Sequence, residues 1–261
     1  MKEAFWKRVE GMRVKEKRCS LWKVRKVSGR KIMKGFFKYR APNNTRQENV
    51  GAGILLGSEL TVYKLARVVN LPVTKTVLTR IQRESGILSI AYPGRIFTWK
   101  AAGKRIHSNI PDKIIHPERL LKALVFDIWI LNIDRHGGNC VLYPKGGKYD
   151  FYLIDHGLTL AGAINFRKTR WNSAYWERVS RYNRQFLKGV RNNIKSYKQL
   201  QPYVREIQQI SEKRIRDIVE STPSDYYSSK TKQQVIRLLI YRQRKMEPII
   251  KNWLKDIGIN A

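Results

Sequence analysis

The spacing of apolar and polar residues changes its period several times along this chain. LWKVRKV and MKGFFKYRA are two runs rich in aromatic and β-branched residues. SGRK, a turn sequence, joins them, so a β-hairpin is predicted. A polar loop, PNNTRQEN, leads into GILLGSELTVYKLARVVNLP, where Leu56, Leu60, Tyr63 and Ala66 recur at helical spacing and Asn70, Leu71 and Pro72 supply a stop. PVTKTVLTRI reads as another strand. From Pro93 to Ile115 no period is visible. A second helix is predicted from Pro117 and Glu118, since proline suits a first turn and an acid meets the positive end of the helix dipole. Leu121, Leu124, Val125 and Ile128 carry its apolar face up to Asn132. CVLY and FYLI flank the turn PKGGK and predict a second hairpin. From about Ala174 the pattern is helical throughout: YWERVSRYNRQFLKGV, LQPYVREIQQISEKRIRDIVE and KQQVIRLLIYRQRKMEPIIKNWL. A small sheet with one helix, then a mostly helical half, predicts an α+β fold with two lobes, 1–92 and 93–261.

Composition adds one strong signal. The 261 residues are 42% apolar, enough for a sizeable core, but 53 Lys and Arg against 20 Asp and Glu leave a formal charge of +33. Such a field favours polyanions: nucleic acid, anionic lipid headgroups or nucleotide phosphates. Cys19 and Cys140 form no disulfide framework and neither has a second cysteine at metal-ligand spacing, which fits a reducing cytoplasm. No apolar run approaches the roughly 18 residues that span a bilayer. MKEAFWKRVEGMRVKEKRCS lacks the apolar segment of a signal peptide. A soluble cytoplasmic protein is expected.

Candidate chemistry centres on NIDRHGGNCVLYPKGGKYDFYLIDHG. Phosphoryl transfer needs a cation on the nucleotide phosphates, a carboxylate and a second ligand for a metal, and a base near the acceptor hydroxyl. Asp134 and Asn139 stand five residues apart in DRHGGN, the spacing at which a kinase catalytic loop sets its base and its metal-binding amide. Gly137 and Gly138 are expected to allow the tight turn between them. Asp155 ends an apolar strand in LIDHG, where the following glycine is expected to turn the backbone away and leave the carboxylate for Mg²⁺. Lys38 on the strand FFKYR and Glu59 on the following helix complete the order: a strand lysine on ATP phosphates, paired with a helix glutamate. Each residue alone has an ordinary alternative, a solvated face for Lys38 and Glu59, local turn bonds for Asp134 and Asn139. His136 and His156 invite a metal-dependent phosphohydrolase instead, but His107 and His116 lie without paired spacing, and loop-bracing hydrogen bonds are the simpler role. Cys140 reads as a small buried apolar residue.

On these residues the chain resembles the HipA-like kinase family, bacterial Ser/Thr kinases distantly related in fold to phosphoinositide kinases. GFFKYR, SELTVYKLARVVNLPV, FDIWILNIDRHGGN and LIDHGLTL carry the resemblance, with STPSDYY and the long helix RLLIYRQRKMEPII resembling the family's closing helices. It implies ATP with Mg²⁺, or Mn²⁺ in its place, Lys38 on the ATP phosphates with Glu59 as its partner, Asp134 as catalytic base, and Asn139 and Asp155 on the metal. Asn132 and Arg135 would support the loop, and Asp127 would be structural. No G-x-G-x-x-G precedes Lys38, so phosphate covering falls to KEKRCS, including Ser20, and adenine contacts to the region from Ile87 to Tyr92.

Between Phe166 and Lys198 ten Lys and Arg face one acid, Glu177, with Trp171, Tyr175, Trp176, Tyr182, Phe186 and Tyr197 interspersed. Cations among aromatics suit nucleic-acid contact. Val179, Tyr182, Phe186 and Val190 equally fit an amphipathic helix with its aromatics in the core. The expected partner is a protein with a hydroxyl acceptor, acidic or RNA-associated. A lipid kinase at an anionic membrane and a non-catalytic nucleic-acid-binding protein with a kinase fold are the alternatives.

Overall fold

Strand pairing in the N-terminal half follows the predicted hairpin and then exceeds it. The computed structural model describes residues 5–14, 19–28, 31–40, 51–105, 109–172, 174–179, 183, 186–187 and 189–259. Within them β1 (Lys7–Val14), β2 (Ser20–Ser28), β3 (Lys31–Tyr39), β4 (Lys75–Ile81) and β5 (Glu84–Ile90) form an antiparallel sheet of order β1-β2-β3-β5-β4. β2 and β3 pair along their whole length, from Ser20 opposite Tyr39 to Ser28 opposite Lys31. β5 was not predicted: its run, ESGILSI, mixes small polar residues with apolar ones, yet it lies between β3 and β4. PNNTRQEN lies outside the described residues.

α1 (Ala52–Val68) follows, ending where Asn70 takes a left-handed φ of 48°. Leu55, Val62, Leu65 and Ala66 place it in the large core rather than in the sheet's own. That smaller core comprises Trp22, Val24, Phe37, Tyr39, Ile81 and Leu88. The stretch from Pro93 to Ile115 is less irregular than expected. It contains β6 (Phe97–Thr98), α2 (Trp99–Ala102) and a 3₁₀ turn, Ile110–Lys113.

α3 (Glu118–Trp129) starts after Pro117 as predicted. It is buried on almost every side, however: Leu120, Ala123, Phe126 and Trp129 are inaccessible along with Leu124, Val125 and Ile128. β7 (Cys140–Lys145) and β8 (Lys148–Leu153) make the second hairpin, to which β6 adds a third strand. Its turn is shorter than PKGGK. Gly146 and Gly147 alone make it, at φ 55° and 73°, the doubly left-handed two-residue link that suits a twisted hairpin.

α4 (Leu160–Phe166), α5 (Gln201–Gln208), α6 (Glu212–Glu220) and α7 (Ser229–Asp256) complete the helical half. The continuous helix expected over 175–190 is not formed by the described residues. Ala174–Glu177 is a 3₁₀ turn, and Phe186 stands at φ 37°, which no helix tolerates. Phe186, Leu187 and Val190 are buried all the same, so the apolar spacing reports burial in the core and not one continuous helix. Tyr182 lies outside the described residues. LQPYVREIQQISEKRIRDIVE is two helices because Ser211 caps the second, its hydroxyl accepting from Arg214 N. The α+β, two-part architecture holds. No helix among the described residues is long and apolar enough to cross a membrane.

Candidate functional site

Three of the singled-out residues meet in the cleft between the sheet and the helical half. Lys38 Nζ donates to Glu59 Oε1 at 2.6 Å and to Asp155 Oδ1 at 3.0 Å. Strand alternation on β3 sends Lys38 away from the Phe37 and Tyr39 core, toward α1. Helical periodicity then leaves Glu59 buried on the facing side of α1. Lys38 and Glu59 are almost inaccessible, whereas the Asp155 side chain keeps 41% of its surface. The Lys38 ammonium holds the Asp155 carboxyl below its ordinary range, against burial, which pushes the other way. Two carboxylates, those of Glu59 and Asp155, thus meet at one ammonium.

Asp155 reaches this position through its own backbone. It adopts φ 58°, and Leu131 and Leu160, on either side of the site, take φ 53° and 47°. Non-glycine residues in the left-handed region cost energy and persist only where their surroundings hold them. The expectation that Gly157 makes the turn is therefore corrected. Gly157 has no positive φ; Asp155 itself turns, as short polar side chains allow. Gly137 and Gly138 likewise have no positive φ. Space constrains Gly137: a Cβ there would lie 3.1 Å from Lys100 N, which donates to the Gly137 carbonyl.

Asp134 and Asn139 occupy the loop before β7. Asn139 Nδ2 donates to the Asp134 carbonyl at 3.1 Å, and Asp134 N donates to Asn132 Oδ1 at 2.9 Å. Arg135, wholly buried, is the hub. It forks onto Asp127 through Nε (2.7 Å) and Nη2 (3.2 Å), and Nη1 donates to the carbonyls of Asn139 (2.6 Å) and Ile154 (3.2 Å). Its Nη2 also lies 2.7 Å from His156 Nε2. Burial opposes the guanidinium charge, but Asp127 outweighs it and raises the pKa. Burial and the Arg135 charge push His156 well below 6.5, so the ring is neutral and accepts at Nε2. Asp127 also accepts from Asn132 Nδ2 at 2.8 Å. One buried ion pair thus ties the Asp134–Asn139 loop to the residues on both sides of Asp155, the Ile154 carbonyl and the His156 ring. His136 accepts from Gly138 N through Nδ1. Burial pushes the Cys140 thiol up to about 12, so it has no thiolate character at neutral pH.

Other expected residues are not gathered here. Ser20 pairs with Tyr39 and so shares that residue's face, whereas Leu21 is the neighbour of Lys38. Residues 15–18 of KEKRCS and His107 lie outside the described residues. Ile87 to Ile90, expected in a linker, belong to β5; only Ala91 and Tyr92 lie beyond it, with Tyr92 stacked on Tyr143 at 3.8 Å between centroids. Phe36 was overlooked. It stands two residues before Lys38 on the same face, opposite Ser89, and is 37% exposed. The period of two in FFK was the available signal. Among the described residues no three His, Cys, Asp or Glu side chains converge as a metal-dependent phosphohydrolase would need.

Two solved structures follow this backbone over nearly its whole course. One, a crystal structure of the Helicobacter pylori proinflammatory kinase CtkA, aligns with a TM-score of 0.59 at 12% identity, over 98% of each chain. The other is HipA of Shewanella oneidensis MR-1, from a toxin–antitoxin complex with HipB and operator DNA. It aligns with a TM-score of 0.53 at 13% identity, over 97% of this chain and 68% of HipA. This is a HipA-like kinase fold. No protein-family model matches the sequence, and no curated protein does. The HipA-like fold is therefore carried by backbone course at low identity, with Lys38, Glu59, Asp134, Asn139 and Asp155 as described above.

Proposed function

We propose that the chain is an ATP-dependent phosphotransferase of the HipA-like type, a Ser/Thr protein kinase. The observation that carries this is the contact of Lys38 with both Glu59 and Asp155, whose neighbour Ile154 is tied to the Asp134–Asn139 loop by bonds with Arg135 and the Asn139 carbonyl. In this reading Lys38 neutralises ATP phosphates and Glu59 keeps it extended. Phe36, on the same strand face, offers an aromatic surface to the base.

The donors fit Mg²⁺. Asn139 spends its amide nitrogen on the Asp134 carbonyl, which leaves its amide oxygen, and with the Asp155 carboxylate it supplies the oxygen ligands that Mg²⁺ takes. Bound there, the ion would neutralise charge on the β and γ phosphates. Asp134 takes the proton from the acceptor hydroxyl as its oxygen attacks the γ-phosphorus. The bond from that phosphorus to the β–γ bridging oxygen breaks, and ADP leaves. Asp127 and Arg135 hold the loop and do not touch the reactants.

Incubation of the protein and a cell lysate with ATP labelled in the γ-phosphate tests this. Label in protein bands, lost with Asp134→Ala, is expected. Label in an organic extract would replace the protein acceptor by a lipid. No transfer with Mg²⁺ or Mn²⁺, together with unchanged nucleic-acid binding by Asp134→Ala, would make the chain a binding module.

A further inference from the structure

A cavity of about 690 Å³ opens on the other side of the Asp134–Asn139 loop, walled by residues 135–137. Its floor is apolar, from Trp99, Ile110 and Phe186, all buried. Its charged lining includes Lys100, Lys104 and Arg191, all exposed, and no Asp or Glu among the described residues lines it. Neither Lys100 nor Lys104 has an ion-pair partner among the described residues. Arg191 is held in place by a 2.8 Å bond from Nη2 to the Ile257 carbonyl, which leaves its other N–H groups for a ligand.

Cations abound on this chain, so their presence alone decides nothing. Three features set this group apart: concavity, an apolar floor, and rigid attachment to the loop. Lys100 N donates to the Gly137 carbonyl at 2.8 Å, and Thr98 caps the same short helix by accepting from Ala101 N. Lys100 is thus tied to the loop through its own backbone. Gly137 is three residues from Asp134, a span of at most about 10 Å.

We infer that this cavity is an acceptor-recognition subsite that takes an acidic side chain of a protein substrate. It rests on the kinase reading above and adds a substrate class to it. An extended peptide advances about 3.3 Å per residue, so an Asp, Glu or phosphoserine within about three positions of the accepting hydroxyl reaches these cations. The ATP site does not supply this preference, because its lysine, Lys38, is assigned to the ATP phosphates and is already engaged by Glu59 and Asp155.

Three synthetic serine peptides, alike except for flanking glutamates, alanines or lysines, serve as probes of kcat/KM. The glutamate peptide is expected to exceed the lysine peptide by at least about tenfold. In Lys100→Ala/Lys104→Ala the preference disappears, and in Lys100→Glu/Lys104→Glu it inverts, with the alanine peptide unchanged within about twofold. Fluorescence anisotropy of the same peptides, on variants whose thermal unfolding matches the parent, reads the contact without turnover and should show the same order. Transfer to all three peptides without preference, or a preference that survives both double variants, overturns the subsite while leaving the kinase intact. Transfer to none of the peptides, nor to any lysate protein, overturns the kinase reading and this subsite with it.

Discussion

Asp127 and Arg135 have no access to solvent, and the loop depends on their pairing. Asp127→Asn would leave a buried guanidinium without its counter-charge, at a cost of about 3–5 kcal/mol in urea unfolding. A loss below about 1 kcal/mol would show that the pair does not anchor the loop. Asp150, 2% exposed, makes a second, independent case. Burial alone would raise its pKa, but the Phe151 N–H, Lys145, Tyr143 and Arg119 together bring it below 3.8. The folded carboxyl is thus the stronger acid. Its contribution is complete above pH 3.8 and is lost as pH falls through the folded value. Unfolding curves of parent and Asp150→Asn should differ at neutral pH and converge as pH falls below 3.8. At this scale the sequence was legible where spacing is local. Asp134 and Asn139 share one loop, and Lys38 and Glu59 follow in a recognisable order. The left-handed turn at Asp155 was not legible, because it is imposed by tertiary contacts and not by a neighbouring glycine.

α1 carries Glu59, and its position is fixed from the helical half. Ser58 Oγ lies 2.7 Å from the Tyr227 hydroxyl and donates to the Thr159 carbonyl, while Thr61 and Thr222 pair hydroxyls at 2.8 Å. Gly57 packs against the Tyr227 ring, where a Cβ would lie 2.7 Å from Cε1. The Lys38–Glu59 pair therefore comes preassembled, without an outside partner to push the helix in. Tyr227→Phe should cost about 1–2 kcal/mol by leaving Ser58 short of a partner. Gly57→Ala sets a gain of about 1 kcal/mol in helix propensity against overpacking of about 1–3 kcal/mol. Overpacking should win, and the displaced helix should raise the KM for ATP. An unchanged KM would mean that α1 tolerates the shift. The sequence predicted α1, α3 and both hairpins because each has a regular period or a turn signal. It missed β5, whose serines and glycine obscure the alternation. It also read one continuous helix through Phe186, whose burial fits a period of 3.6 although its φ of 37° breaks the helix.

For the whole molecule, the +33 charge and the ion pairs at Lys38 act at different ranges. The diffuse field should draw polyanions regardless of sequence, so heparin or single-stranded DNA affinity should fall steeply between about 50 and 200 mM salt. Binding that holds over that range would remove electrostatics from the explanation. The local charge, by contrast, is legible only in three dimensions, where residues 117 positions apart meet at one ammonium. The two-lobed α+β plan could be read from element order, but the placement of α1 in the larger core could not. The central claim is phosphoryl transfer with Asp134 as base. Its most direct test compares γ-phosphate transfer and Mg·ATP binding for the parent and Asp134→Asn. Transfer should fall by at least about a hundredfold while the ATP dissociation constant stays within about twofold. Transfer by Asp134→Asn at the parent rate would contradict the account.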